Sequence, residues 1–432
     1  MRIDRLDDLG AAPEVLRRIG DATSRLGLPP PAALTGEWFD SLAVIAPSVA
    51  VDRVGSAEVF PIDTESIPSD IDRSTRLDGM TVGGGWIGYL SYPDAASDGD
   101  GPRIPEAAGG WTDSVLRRDR NGVWWHEDLT GATMPQWLAA ALCTEPSPAD
   151  SCRIHWTAPS AEDHRDAITA CLEAITAGEV YQACVCTQFV GQAEGKPLDF
   201  FVDGVTRHHP ARAAYVAGPW GAVASLSPEL FLSRRDDVVT SSPIKGTLPL
   251  HRRPAQLRAS VKDVAENVMI VDLVRNDLGR VAVTGTVTVP QLLVVRRAPG
   301  VWHLVSTVAA QIPTALPMSA LLAATFPPAS VTGTPKRRAR ELLSGWESRR
   351  RGIYCGSVGL ASPIAGCELN VAIRTVEFDA AGTAVLGVGG GITSDSDPAA
   401  EWEECLHKAA PVVGQAVVSA ASMTGVRRSQ AG

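Results

Sequence analysis

One lysine and a handful of carboxylates stand in surroundings that could carry chemistry. Lys245 lies in Ser242-Pro243-Ile244-Lys245-Gly246-Thr247, between a β-branched residue and a glycine. The residues before it read as a turn into a short strand, and Gly246 lets backbone or ligand approach closely. An amine held there can act as a nucleophile once it sheds its proton. Read alone, it is also an ordinary solvated lysine at a strand end. Glu229 follows Pro228 at the start of another strand. Asp263 and Glu266 are spaced i,i+3, while Glu401, Glu404 and Lys408 are spaced by three and four residues and share a helix face. In isolation that face is a solvated surface with a Glu404–Lys408 pair contributing a few tenths of a kcal/mol. Two such acidic faces meeting across a cleft would hold a hard cation. Mg²⁺ takes one or two protein carboxylates and completes its octahedron with water and substrate.

The elements that must position these groups follow from caps and periodicity. Ser160 with Asp163 reads as an N-cap, and Ile168, Cys171, Leu172 and Ile175 give helical spacing up to Gly178. Residues 180–190 then alternate, with Tyr181, Ala183, Val185 and Phe189 on one face and Gln182, Cys184, Cys186 and Gln188 on the other. A helix is expected from about Leu257 to Asp277, with Val261, Val264, Ala265, Val268 and Val271 as its apolar stripe. Another starts with Thr334 as N-cap and Pro335 in the first turn, and a third with Asp397 and Pro398. Residues 385–395 run a strand into three glycines, which read as a tight turn or as N–H donors facing an anion. Residues 83–92 read as a strand in close backbone contact with a neighbour. Strands outnumber helices without strict alternation, so the fold class is α+β.

Composition excludes several functions. At 432 residues the chain exceeds one ordinary core, and its net charge of −10 argues against a nucleic-acid surface. The N-terminus alternates charges without an apolar core, and no apolar run reaches membrane length. Eight cysteines lie scattered without C-x-x-C spacing, as expected of buried thiols in a reducing cytoplasm. The expectation is a cytoplasmic protein that contacts neither membrane nor nucleic acid. A loop at 144–151 suggests a division into an N-terminal region 1–150, a catalytic domain 151–415 and a tail 416–432.

Taken together and in order, these stretches are far more specific: SPELFL, SPIKGT, KDVAENVMIVDLVRNDLGRV, VWHLVSTV, FPPASVTGTPKRRARELL, RRGIYCGSVG, NVAIRTVEF and GGGITSDSDPAAEWEECLHKA. The chain resembles the chorismate-utilising enzymes, a family that includes anthranilate synthase large subunits and isochorismate and salicylate synthases. Within it the chain most closely resembles the branch that forms aminodeoxychorismate. The motifs cover roughly 180–410 densely.

The resemblance implies an anthranilate synthase-like fold, two antiparallel sheets packed as a sandwich with helices outside and the active site in the cleft. It also implies roles. Glu266 and Glu404 match magnesium ligands, with Asp263 and Glu401 in support. Glu229 matches the acid that protonates the departing C4 hydroxyl of chorismate. Arg374, Tyr354, Lys408 and the backbone near Gly389 and Gly391 match binders of the enolpyruvyl carboxylate, and His303 and Thr332 match residues lining the ring.

Two positions separate the branches. Isochorismate and salicylate synthases carry a water-activating lysine where this chain has Gln182. Anthranilate synthases carry a small residue where it has Lys245, and a lysine there marks the aminodeoxychorismate branch, in which the amine attacks C2 before ammonia arrives at C4. The resemblance thus implies a synthase component making 4-amino-4-deoxychorismate for 4-aminobenzoate and folate. No stretch resembles a glutaminase, so ammonia is expected from solution or from a separate glutamine amidotransferase subunit. The alternatives are an anthranilate-forming synthase and a non-catalytic chorismate-binding regulatory subunit. The chain departs from the family at GTLPLHRRP, where GTRPR is usual, and at FPPASVTGTPK, where FPGGSVTGAPK is usual. It also lacks the Leu-Leu-Glu-Ser stretch of the tryptophan site.

Overall fold

The computed structural model describes residues 1–62, 81–94, 101–145 and 151–429. Positions 146–150 of the loop expected at 144–151 lie outside the described residues. Two large sheets dominate the α+β architecture, twelve strands in one and ten in the other among the described residues, built from antiparallel pairs. Leu34, Trp38 and Val44 of the first sheet interdigitate with Ile87, Tyr89, Val358 and Leu360 of the second. On the outer face of the first sheet, Leu16, Ile19, Phe201 and Trp402 from helices cover Phe189, Phe378 and Leu386. On the second, Ile270 and Val274 of helix Val261–Gly279 and Leu321 of helix Met318–Thr325 do the same. No helix among the described residues is long and apolar enough to cross a membrane.

Each sheet takes strands from both sides of position 150. Strands Ala32–Trp38 and Ser41–Ala46 pair into the first sheet, which also holds Gln182–Glu194 and Thr383–Ile392. Gly85–Leu90 and Ala107–Thr112 complete the second. The glycines of residues 83–92 permit this: a methyl group on Gly85 or Gly88 would run into the carbonyl of Ala361 or Ala108. Ser160 caps helix Ala161–Thr176 by accepting from the Asp163 N–H at 3.2 Å, and Asp397 caps Pro398–Val413 by accepting from Ala400 at 2.9 Å. Both caps were readable because a cap is a contact between near neighbours in sequence.

Three local expectations give way to longer-range contacts. Thr334 does not cap a helix; it pairs with Gln182 in a two-residue strand, and the helix begins at Lys336. The three glycines form no turn, because they lie inside strand Thr383–Ile392, where Gly389 and Gly391 pair with Cys186 and Cys184. The valine stripe of helix Val261–Gly279 is also rotated from expectation. Val261 is 85% and Val268 45% exposed, whereas Asn267, Ile270, Val271 and Val274 enter the core. Asn267 fixes the rotation by donating to the Leu304 carbonyl at 3.1 Å and accepting from Ser306 Oγ at 2.5 Å. A polar residue thus chose the buried face, which an apolar pattern cannot signal.

Candidate active site

Strand Ile244–Pro249 of the second sheet brings Lys245 up to the glycine run of the first. A methyl group on Gly391 would overlap Gln182 Nε2 and lie 3.3 Å from Lys245 Nζ. One residue back, a methyl on Gly390 would lie 2.9 Å from Glu401 Oε2 and 3.7 Å from Lys408 Nζ. Here the glycines serve as a floor that lets functional groups of three elements converge. Gly246 does the same for the strand, since at φ +86° a side chain would stand 3.1 Å from Asp263 at the start of helix Val261–Gly279. The amine therefore sits between a sheet floor and a helix start, which accounts for the glycine beside it.

Glu229 is buried at 3% exposure, between strands Gly221–Ser227 and Leu230–Arg235. Burial pushes its carboxyl up to about 7, against a hydrogen bond from Ser330, the Lys245 ammonium and the Ile244 N–H at 3.4 Å. A carboxyl that titrates near neutrality can deliver a proton at neutral pH.

The other carboxylates have a different environment. Glu404 Oε1 lies 2.8 Å from Lys408 Nζ, which also donates to the Gly389 carbonyl at 2.9 Å. Burial tends to raise Glu404, but Lys408, with Lys262 and Lys245 acting the same way, outweighs it and holds the carboxyl below its ordinary range. Glu401 is buried, accepting from Ser396 Oγ at 2.8 Å and from Lys262 Nζ at 3.3 Å. Lys262 reaches Glu266 at 3.9 Å. Burial raises the Glu266 carboxyl, with Asp263 and Glu404 pushing the same way against Lys245 and Lys262. Among the described residues no three acidic, histidine or cysteine side chains converge closely enough to hold an ion alone. The donors still suit a hard cation, because Glu266 and Glu404 offer carboxylate oxygens from two helices and Mg²⁺ requires only one or two.

The expected substrate-binding residues are distributed around this centre. Gln182 is 1% exposed, and its Oε1 has no hydrogen-bond partner among the described residues, an acceptor left open at the floor. His303 pairs through Nδ1 with Thr247 Oγ1 at 2.9 Å, and burial, aided by Arg374, pushes its pKa down to about 4. Arg374 takes a left-handed backbone at φ 50° and makes no ion pair with a carboxylate among the described residues. Desolvation lowers its pKa. Such a partly buried guanidinium without a carboxylate partner among the described residues suits an incoming carboxylate. Tyr354 lies with its ring against Gly387, where a side chain could not fit. Thr332 is fully buried and donates within its own loop to the Pro328 carbonyl at 2.9 Å, so its hydroxyl is already engaged.

Several functional neighbours escaped the sequence reading. Ser330 on Glu229 carries no local signal, nor does Ser396 on Glu401. Lys262 carries only its i,i+4 spacing to Glu266 as a local signal. Lys336 is tied to Asp277 at 2.5 Å and to the carbonyls of Thr325 and Pro327 at 2.8 Å, which anchors the loop carrying Ser330. The eight cysteines are free and six are buried as expected, but Cys143 is exposed and Cys152 only partly buried.

Known proteins place this arrangement. Residues 62–414 match the family described as chorismate binding enzyme. The chain is 39% identical to aminodeoxychorismate synthase component 1 of Escherichia coli (strain K12) over 255 residues, 56% of this chain and 55% of that protein. It is 35% identical to anthranilate synthase component 1 of Streptomyces coelicolor over 303 residues, 68% of this chain and 56% of that protein. These matches span only about half the length of the curated relatives. The crystal structure of anthranilate synthase component I from Streptococcus pneumoniae shares the fold, with a TM-score of 0.69 at 23% identity over 89% of this chain and 90% of that one. With the fold, the ordered motifs and the converging site in agreement, the chain belongs to the family of chorismate binding enzymes.

Proposed function

We propose that the chain is the synthase component that converts chorismate and ammonia to 4-amino-4-deoxychorismate. The observation that carries this reading is the Lys245 amine at the glycine floor, within electrostatic reach of Glu229, a buried carboxyl raised to about 7. The amine attacks C2 of the ring and sheds a proton to water, the two conjugated ring double bonds shift toward C4, and the C4 hydroxyl leaves as water with the proton from Glu229. Ammonia then bonds to C4 and returns a proton to Glu229, the two double bonds shift back, and the Lys245 amine departs from C2 taking up a proton. Arg374 and Lys408 take the carboxylate of the side chain, and Gln182 offers its open acceptor to the ring or to the incoming nitrogen. Glu266 and Glu404, with Asp263 and Glu401 in support, would hold Mg²⁺. Bound there, the cation would orient the ring carboxylate and draw electron density as the hydroxyl leaves. Ammonia comes from a separate glutamine amidotransferase, and the product serves 4-aminobenzoate and folate formation.

Purified protein incubated with chorismate, Mg²⁺ and ammonium, followed by mass-spectrometric product identification, tests this. Aminodeoxychorismate is the expected product. Anthranilate, isochorismate or unchanged chorismate would each overturn the reading. Glutamine should replace ammonium only after the amidotransferase is added.

A further inference from the structure

Lys262 occupies an electrostatically awkward position. It is the second residue of helix Val261–Gly279, where the partial positive charge of the helix start disfavours a cation. Two carboxylates compensate, Glu401 at 3.3 Å and Glu266 at 3.9 Å, so the ammonium links the first turns of two helices. Glu401 is anchored a second time by Ser396 Oγ at 2.8 Å, whereas Glu266 accepts no hydrogen bond shorter than its contact with Lys262 among the described residues. The weaker link is therefore the one to Glu266. The Lys262 side chain is 46% exposed on a flexible stem, so the amine can leave for water without disturbing the fold.

We propose that Lys262 is the resident counter-ion of the carboxylate cluster: it bridges Glu266 and Glu401 in the metal-free protein and releases Glu266 when a divalent cation enters. This rests on the reading that Glu266 and Glu404 bind that cation. A tethered ammonium keeps the carboxylates from repelling one another before the metal arrives, and it makes the metal compete for its place. Lys262 is thus a positioning residue that sets metal affinity and touches no reacting atom.

The test uses Mn²⁺ alone as probe, with the EPR signal of the free aqueous ion reporting binding and thermal unfolding of the metal-free protein measured in parallel. Lys262→Met should bind Mn²⁺ about fivefold more tightly than wild type, the scale of two partly exposed ion pairs. Without metal it should melt at a lower temperature. Lys262→Arg should restore both properties. Equal or weaker Mn²⁺ binding by Lys262→Met, or an unchanged metal-free melting temperature, would overturn the proposal alone. No Mn²⁺ binding by either protein would remove the metal reading and the proposal with it.

Discussion

Glu229 and Glu404 are the same residue type brought toward the same lysine, yet they are prepared for opposite tasks. Glu229 is enclosed between strands with one hydroxyl and one backbone N–H near it, so desolvation dominates and the carboxyl is raised to about 7. Glu404 lies well inside its helix with Lys408 at 2.8 Å, and Lys408, Lys262 and Lys245 together outweigh desolvation. In the proposed reading, one carboxyl keeps a proton to give away and the other keeps a charge to attract a cation. A glutamate therefore acquires its role from which neighbour dominates.

That contrast can be broken at several points. Glu229→Gln should lower turnover of chorismate by about 10²–10⁴, the range for a lost general acid, with the fold intact by circular dichroism. Wild-type rates in this variant would end the acid assignment. Lys245→Ala should lose most amino product. It should also lose a covalent substrate adduct, which intact-mass and peptide analysis of the wild type should find with chorismate and Mg²⁺ but no ammonia. Production of aminodeoxychorismate at the wild-type rate would make the lysine a bystander.

The stability of the two sites should differ in sign. The folded-state pKa of Glu229 is raised from 4.5 to about 7, so between these values the unfolded chain releases its proton first and stability falls as pH rises. Glu229→Gln removes that loss, and the variant should exceed wild type by about 3 kcal/mol at pH 8, with the gap closing toward pH 4.5. Urea titrations at several pH values measure it, and a pH-independent gap would contradict the burial argument. The Glu404 carboxyl is lowered, so its contribution is present above the ordinary carboxylate range and is lost as pH falls through the lowered value. Its side chain is 50% exposed, which screens the pair. Glu404→Gln should therefore cost the metal-free protein less than about 1 kcal/mol while abolishing Mg²⁺-dependent turnover. A larger stability loss would make the pair structural.

What the chain determined by itself is what depends on near neighbours. The caps at Ser160 and Asp397, the strand read from alternation over 180–190 and found at Gln182–Glu194, and the strand read over 83–92 and found at Gly85–Leu90 were legible because each is decided within a few residues. The candidate set was legible as well, through ordered motifs whose resemblance placed Lys245, Glu229, Glu266 and Glu404. Tertiary structure decided the rest. Thr334 became a strand partner of Gln182, Asn267 turned its helix so that Val261 and Val268 face water, and three glycines became a floor. Ser330 on Glu229 and Lys262 between Glu266 and Glu401 join residues about 100 and 140 positions apart in the chain, for Ser330–Glu229 and Lys262–Glu401 respectively. No local pattern encodes such pairs, because the field at a carboxyl is the sum over everything the fold packs around it.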